Sequence, residues 1–317
     1  MKPKVIVVLG PTASGKSSLG LTLAKRLDGE IVSADSMQIY RKMDIGTAKP
    51  SPEEQKAVRH HMIDICDPDE TFTLAGFIDC AKRSVGDVIA RGKTPILVGG
   101  TGLYLSALTD NITLSESAHD EEYREKLKKI AEEQGGAALK EMLFKVDPES
   151  AKKLHDNDVK RLSRALEIVH ETGRTKSEQD VLSRSVESPY SFYQIGLTYA
   201  DRDVLYDRIN RRGGAMFEQG LEKEVRSLVD NALLRPDTTA GQAIGYKEFF
   251  PYFAGETTLA DVRETICRES RRYAKRQLTW FRRDPRINWT VLETGMTPEK
   301  ENLITEEVTR FLEREIN

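Results

Sequence analysis

Val5-Ile6-Val7-Val8-Leu9-Gly10-Pro11-Thr12-Ala13-Ser14-Gly15-Lys16-Ser17 is the stretch on which the fold turns. Five apolar, mostly β-branched residues make a buried strand, and Ser17–Leu27 continues as a helix. Between them, Gly10 to Ser17 has the spacing of a phosphate loop: Gly, four residues, Gly-Lys-Ser/Thr. The glycines let the backbone close around a phosphate with its N–H groups turned inward. Lys16 adds positive charge, and the Ser17 hydroxyl is the Mg²⁺ ligand such a loop offers. A glycine-rich turn that holds nothing is the plainer reading. The strand before the loop and the helix after it count against that. The loop alone leaves open whether ATP, GTP or another diphosphate sits there.

Working outward, Glu30-Ile31-Val32-Ser33-Ala34 reads as a second strand, His61–Ile65 as a third and Pro95-Ile96-Leu97-Val98 as a fourth, with a helix over about 73–91. Strands separated by helical patterns predict an α/β fold: a P-loop core built on a parallel sheet with helices on both faces. From Asn111 the texture changes to Lys, Glu, Arg and Ala at helical spacing, punctuated by Gly135-Gly136, Asp147-Pro148 and Gly173 into four expected helices. Strand character returns at Phe192–Tyr199, and Trp289–Leu292 reads as an edge strand. The expected organisation is therefore a core of residues 1–110 and 190–317, interrupted by an all-helical insertion at 111–189.

Composition excludes several classes. A net charge of -3 gives no global sign of a nucleic-acid partner, so charge has to be read locally. Cys66, Cys80 and Cys267 form no Cys-x-x-Cys pair, which argues against a zinc module or a disulfide framework. The N-terminal apolar run is too short for a signal peptide, and no run reaches the ~20 residues of a membrane span. A cytoplasmic protein with no membrane partner is expected, working as a monomer.

Ligands of open α/β sheets collect outside the carboxyl ends of the strands. The second strand runs into Asp35-Ser36-Met37-Gln38-Ile39-Tyr40 and the fourth into Gly99-Gly100-Thr101-Gly102-Leu103-Tyr104. Asp35 is thus placed near the phosphate loop as a Mg²⁺ ligand or a general base; a helix cap is its bland alternative. Gly99, Gly100 and Gly102 permit close backbone approach to a ligand, or simply a tight turn. No Asn-Lys-x-Asp signature of GTPases appears, and no apolar run ends in the paired acids of a motor ATPase. Small-molecule kinases and group transferases remain.

These residues resemble the tRNA dimethylallyltransferases (tRNA isopentenyltransferases) of bacterial type. The resemblance rests on Gly10–Ser17 and Ser33–Tyr40, then Met43-Asp44-Ile45-Gly46-Thr47-Ala48-Lys49-Pro50, His61–Asp64 and Val98–Tyr104. It continues through Arg161–Glu167, Gly245-Tyr246-Lys247-Glu248 and Arg272–Trp280, in order over nearly the whole chain to about residue 285. It implies transfer of a dimethylallyl group from dimethylallyl diphosphate to the N6 amine of the adenosine immediately 3′ of the anticodon, with diphosphate released. The P-loop residues Gly10, Pro11, Thr12, Ala13, Ser14, Gly15, Lys16 and Ser17 would then hold the leaving group, with Mg²⁺ as cofactor. Asp35 matches the acidic residue that contacts the adenine amine. Thr12 and Thr101 match hydroxyl residues of the catalytic pocket, and Ser36, Met37 and Gln38 the segment touching the flipped base. Arg202 is a further candidate for the diphosphate; its alternative is a solvated helix start.

The anticodon stem-loop has to be gripped by its phosphates, and the run Arg268–Arg276, with Arg271, Arg272 and Lys275, is the basic stretch that suits it. The resemblance adds Gln242, Ala243, Ile244, Gly245, Tyr246 and Lys247 as an RNA-facing segment, and the insertion as the part that packs against the anticodon stem. There Lys160, Arg161 and Arg164 lie about one turn apart, with Leu162 and Ser163 between them and Arg124 in a weaker set. For each basic run a solvated helix face is the competing reading. Gly213-Gly214 departs from the family's helix-friendly pattern and is expected to loosen its helix by ~1 kcal/mol per glycine. Two other readings share the phosphate loop: a small-molecule kinase using ATP, and a nucleotide-regulated RNA-binding protein without catalysis.

Overall fold

The computed structural model describes residues 2–112, 120–183 and 186–314. Residues 113–119 and 184–185 of the expected insertion lie outside that description. The chain divides into two compact units, Met1–Thr109 with Pro189–Asn317, and Asp110–Ser188.

The first unit opens as β1 (Lys4–Leu9), α1 (Lys16–Arg26), β2 (Gly29–Ser33), α2 (Pro52–Ala57), β3 (His60–His61), α3 (Leu74–Ala90), β4 (Thr94–Gly99) and α4 (Gly102–Thr109). The second unit is helical in its described residues: α5 (Glu121–Gln134), α6 (Gly136–Val146), α7 (Pro148–Lys153), α8 (Val159–Thr172) and α9 (Lys176–Ser183). The chain then returns through β5 (Ser191–Tyr199), α10 (Arg202–Glu218), α11 (Leu221–Asp230), α12 (Phe249–Phe253), α13 (Leu259–Phe281), β6 (Ile287–Leu292) and α14 (Pro298–Glu313).

One parallel sheet holds the first unit, in the order β3-β2-β4-β1-β5-β6. β1 lies inside it, between β4 and β5, and both its faces are dry. Ile6 and Val8 pack with Leu19, Leu23, Ile304 and Val308 of α1 and α14, while Val5, Val7 and Leu9 on the other face are 0–1% exposed. A strand covered on both sides must be apolar at every position, which is why Val5–Leu9 reads as a continuous run. β6 forms the edge, as its sequence suggests.

The third strand is shorter than expected. Only His60–His61 pairs with β2, because Met62 and Asp64 take left-handed φ values of 63° and 55° that end the ladder. The helical unit holds five helices among its described residues rather than four, since the stretch after Asp147-Pro148 breaks once more at Leu154, whose extended backbone (φ -103°, ψ 140°) ends α7 before α8 begins; Asp147-Pro148 itself starts α7. Asp147 caps that helix by accepting from Ser150 N at 3.0 Å, and Pro148 sits at its first position. Leu127, Leu139, Leu143, Ala151, Leu162, Ala165 and Leu166 form the core of this unit.

Gly213 and Gly214 do not loosen α10, which runs unbroken through them. Both are buried, because α13 crosses there. A Cβ at Gly213 would meet Cys267 Sγ at 2.7 Å, and one at Gly214 would meet Arg263 Nη2 at 2.8 Å. The glycines trade helix propensity for close packing of the two helices. Gly213→Ala should therefore lower stability by about 1–3 kcal/mol despite alanine's better propensity. At Gly86, exposed in α3 with nothing within 4 Å of its Cβ position, the same change should add up to about 1 kcal/mol. Urea denaturation of the two variants checks the opposite signs.

Candidate active site

The phosphate loop leaves β1 with two unusual glycines. Gly10 has φ 152°, and a Cβ there would stand 2.8 Å from Leu197 O on β5, so the loop can leave the sheet this tightly only without a side chain. Gly15, at φ 96°, is the N-cap of α1 and offers no side-chain acceptor, and the first turn carries no acidic residue. The first N–H groups of α1 therefore point free into the space beyond it, with the positive end of the helix dipole behind them. Ala13 is held at φ 62° while Arg208 Nε donates to its carbonyl at 3.0 Å.

That space is a cavity of about 940 Å³ lined by Thr12, Ala13, Gly15, Lys16, Ser17 and Asp35, with Arg208, Arg211 and Arg212 opposite them. Burial and the charge of Arg212 hold Lys16 down to about 8, against the upward pull of Asp35. Arg212 donates to Thr12 Oγ1 at 3.2 Å, and burial pulls its guanidinium below the usual range. Several cations crowded into a partly dry cleft repel one another, and a polyanion relieves that strain. Ser17 lines the same cavity from the first turn of α1. No group of three or more His, Cys, Asp or Glu among the described residues forms a metal cage of its own.

Asp35 stands where this cavity meets a second one of about 310 Å³; it lines both, as do Thr12, Arg212 and Tyr273. Its Oδ1 accepts from Met37 N at 2.9 Å, which fixes the carboxylate's direction. Thr101 holds the same turn from outside the cavities: its Oγ1 accepts from Ser36 N at 3.0 Å and donates to Ser36 Oγ at 3.3 Å. Gln38 accepts from Ser33 Oγ at 2.9 Å and donates to Ala48 O at 3.2 Å, while Ser36 and Met37 line the smaller cavity.

Residues that no local pattern marks complete the site. Gln277 on α13 accepts from Thr12 N at 2.8 Å and donates to Gly100 O at 2.8 Å, joining the phosphate loop to the turn after β4. Tyr273, one turn earlier, borders both cavities; burial and the nearby Asp35 push its phenol up to about 12. Arg208 and Arg212 follow the same rule: they lie in a charged helix whose sequence does not mark which arginines face the cleft. The glycines at the end of β4 and after it pack closely on protein, and Gly99 also lines the larger cavity. A Cβ at Gly99 would meet Ala34 O at 2.3 Å, one at Gly100 would meet Gln277 Nε2 at 2.3 Å, and one at Gly102 would meet Trp280 Cδ1 at 2.4 Å.

Other expected residues lie elsewhere. Arg202 is exposed at the start of α10, its guanidinium 5.6 Å from the Tyr206 ring, and does not line the cavity. Arg208 and Arg212 take that place. Tyr246 is fully buried and donates to Glu224 Oε1 at 2.7 Å, so it is core and not a surface for RNA. Its neighbours Gln242, Ala243, Ile244, Gly245 and Lys247 do line the smaller cavity, together with Ser270 and Arg276 of α13. On α13, Arg272 and Lys275 are exposed and Arg271 donates to Asn210 Oδ1. In the helical unit, Leu162 is 0% exposed and belongs to the core. Lys160 and Arg161 are exposed and Ser163 is half-buried. Arg124 and Arg164 are turned onto the buried Glu167, at 3.2 and 2.9 Å.

A family model described as IPP transferase matches residues 38–284. A tRNA dimethylallyltransferase of Bacillus cytotoxicus is 48% identical over 312 residues, 98% of this chain and 95% of that protein. One from Oceanobacillus iheyensis is 45% identical and covers 100% of both chains. Among solved structures, a full-length tRNA isopentenylpyrophosphate transferase from Bacillus halodurans superposes with a TM-score of 0.74 at 44% identity, over 99% of this chain and 97% of that one. A eukaryotic dimethylallyltransferase, captured acting on tRNA, superposes with a TM-score of 0.82 at 30% identity, over 99% and 81%.

The position of Lys16 sets a pH dependence. A cationic Lys16 favours a diphosphate, and it gives up its proton as pH rises through about 8 in the free protein. Affinity for an alkyl diphosphate should hold below that point and fall above it, by up to about tenfold per pH unit. Because Asp35 holds Lys16 up, Asp35→Asn should move the fall to lower pH. Calorimetry from pH 7 to 9.5, against Lys16→Met as baseline, reads both effects.

Proposed function

The chain belongs to the IPP transferase family and transfers a dimethylallyl group to tRNA; from that premise we propose how its two cavities divide the work. The larger cavity takes dimethylallyl diphosphate, its diphosphate against the start of α1, Lys16, Arg208 and Arg212. The smaller takes an adenine flipped out of the anticodon loop, the base immediately 3′ of the anticodon. One observation carries this reading: Asp35 is in the wall common to both cavities, with its carboxylate aimed by Met37 N.

In that arrangement the N6 nitrogen attacks C1 of the dimethylallyl group. The C1–O bond breaks, and its electron pair leaves with diphosphate. The N6 proton passes to Asp35. An exocyclic amine is a weak nucleophile, so a positioned carboxylate and preorganised positive charge at the leaving group are what this reaction needs. Lys16, Arg208, Arg212 and the N–H groups of α1 meet the charge developing on the leaving oxygen. Ser17 would hold a Mg²⁺ through its hydroxyl, with diphosphate oxygens and water completing the shell. When bound, it adds positive charge at the leaving group.

Lys247 and Arg276 border the smaller cavity, and Arg272 and Lys275 continue the basic surface along α13. Cations around a pocket of base size suit a loop nucleotide whose flanking phosphates stay at the rim. We propose the cytoplasm as the setting of the reaction, where tRNA substrates are met.

Unmodified tRNA incubated with protein, Mg²⁺ and dimethylallyl diphosphate should yield an adenosine carrying one isopentenyl unit, read by nucleoside mass spectrometry. Asp35→Ala should lower that yield by about 10²–10⁴-fold while leaving tRNA affinity within about twofold. Full turnover in the variant would remove Asp35 from the role of base.

A further inference from the structure

The segment Asp44–Lys49 has no generic sequence reading, yet it walls both cavities. Asp44, Ile45, Ala48 and Lys49 face the larger, Gly46 the smaller and Thr47 both. Its backbone at 44–46 is gathered on one carboxylate. Glu224 Oε2 accepts from Asp44 N at 3.0 Å and Ile45 N at 2.8 Å, and Oε1 accepts from Gly46 N at 3.2 Å and Tyr246 Oη at 2.7 Å. Successive N–H groups turned to one side form an anion-binding nest, and here the anion is a side chain of α11. The fit is close: a Cβ at Gly46 would stand 2.4 Å from the Tyr246 ring.

Ile45 and Ala48 also pack on the core shared with Leu221 and Val225 of α11, while the remaining polar holds on this segment are local. Lys49 Nζ meets Asp44 and Asp64, each at 2.6 Å, and Tyr40 O at 2.9 Å. Thr47 Oγ1 donates to Met43 O at 2.6 Å, and Gln38 donates to Ala48 O at 3.2 Å. Each of these ties the segment to residues 38–64, the neighbourhood of Asp35. Glu224 ties it instead to α11, which follows α10, the helix that carries Arg208 and Arg212. The carboxylate therefore spans the two sides of the cleft, the base on one and the diphosphate grip on the other.

We infer that Glu224 is a positioning residue, whose carboxylate holds the Asp44–Gly46 backbone so that the wall shared by both cavities keeps the acceptor amine and the donor carbon in line. The inference rests on the division of the cavities proposed above. Its signature is the fate of the donor. When the amine is out of line, water attacks C1 instead; the C1–O bond breaks with its electron pair leaving on diphosphate, and the products are a prenyl alcohol, diphosphate and a proton.

The test measures kcat and KM for transfer to tRNA, together with hydrolysis of dimethylallyl diphosphate in the same reaction. Glu224→Ala should lower the kcat of transfer by about 10- to 100-fold, change the donor KM less than about threefold, and raise the share of donor lost to water. Glu224→Gln keeps one acceptor oxygen and should fall between wild type and Ala. Tyr246→Phe removes one of the four hydrogen bonds while keeping the ring, so it should shift the partition in the same direction by a smaller factor. It carries the test where Glu224→Ala fails to fold. Folded variants with an unchanged partition, or with transfer and hydrolysis falling together, overturn the role of Glu224. A wild type that consumes the donor without modifying any tRNA overturns the functional reading itself.

Discussion

The active site depends on one buried side-chain amide. Gln277 stands 265 residues from Thr12 in the chain, yet its oxygen accepts from Thr12 N and its nitrogen donates to Gly100 O. Without it, two backbone groups near the sheet's carboxyl edge lose their partners. A hydrogen bond left unmade in a buried setting costs about 1–3 kcal/mol. The phosphate loop and the turn after β4 would then lose this direct tie, keeping only the pairing of β1 with β4 beneath them. Gly100 is glycine because this amide lies where its Cβ would be, and α13 is long enough that Gln277 and Tyr273 reach the site while Arg272, Lys275 and Arg276 stay exposed.

Around that joint the site is electrostatically lopsided. Lys16 and Arg212 both sit below their ordinary pKa ranges, burial being the first cause for each, and Asp35 pulls both back up. A stability-driven design would pair those cations or expose them. Holding them together, half dry, leaves a deficit that a polyanion would offset; in the proposed reaction that offset would grow as the leaving oxygen takes on charge. The same crowding keeps Asp35 among positive neighbours, so in the proposed reaction one carboxylate would both raise the lysine and face the acceptor.

The sheet and the loop were legible because their signals are local. A short β-branched run apolar at every position reads as a strand covered on both faces, and the Gly10–Ser17 spacing is the one phosphate binding calls for. The helical texture after Asn111 likewise marks a separate unit. What escaped is long-range. Gln277, Tyr273, Arg208 and Arg212 belong to charged helices whose sequences do not tell which side meets the cleft, so Arg202 stood as the candidate while Arg208 and Arg212 went unmarked. The third strand stops early because Met62 and Asp64 adopt left-handed backbone; aspartate tolerates that region, but nothing in the propensity of Met62 announces it. Gly213-Gly214 looks like a defect within its own helix and is explained only once α13 is seen crossing it.

A motif shared across a family mixes residues that touch the ligand with residues that shape the wall, and a linear pattern cannot separate them. Leu162 and Tyr246 sit among basic or cavity-lining neighbours, yet both are 0% exposed. Tyr246 illustrates why such a residue stays in the motif without contacting RNA. Its ring requires Gly46, and its hydroxyl shares Glu224 with the N–H groups of residues 44–46. The block Asp44–Pro50, the Gly245–Glu248 turn and α11 thus form one constraint distributed over three distant stretches of sequence. A substitution in any one of them strains the other two. Selection on such a constraint leaves the same trace as selection for binding, and only the geometry separates the two.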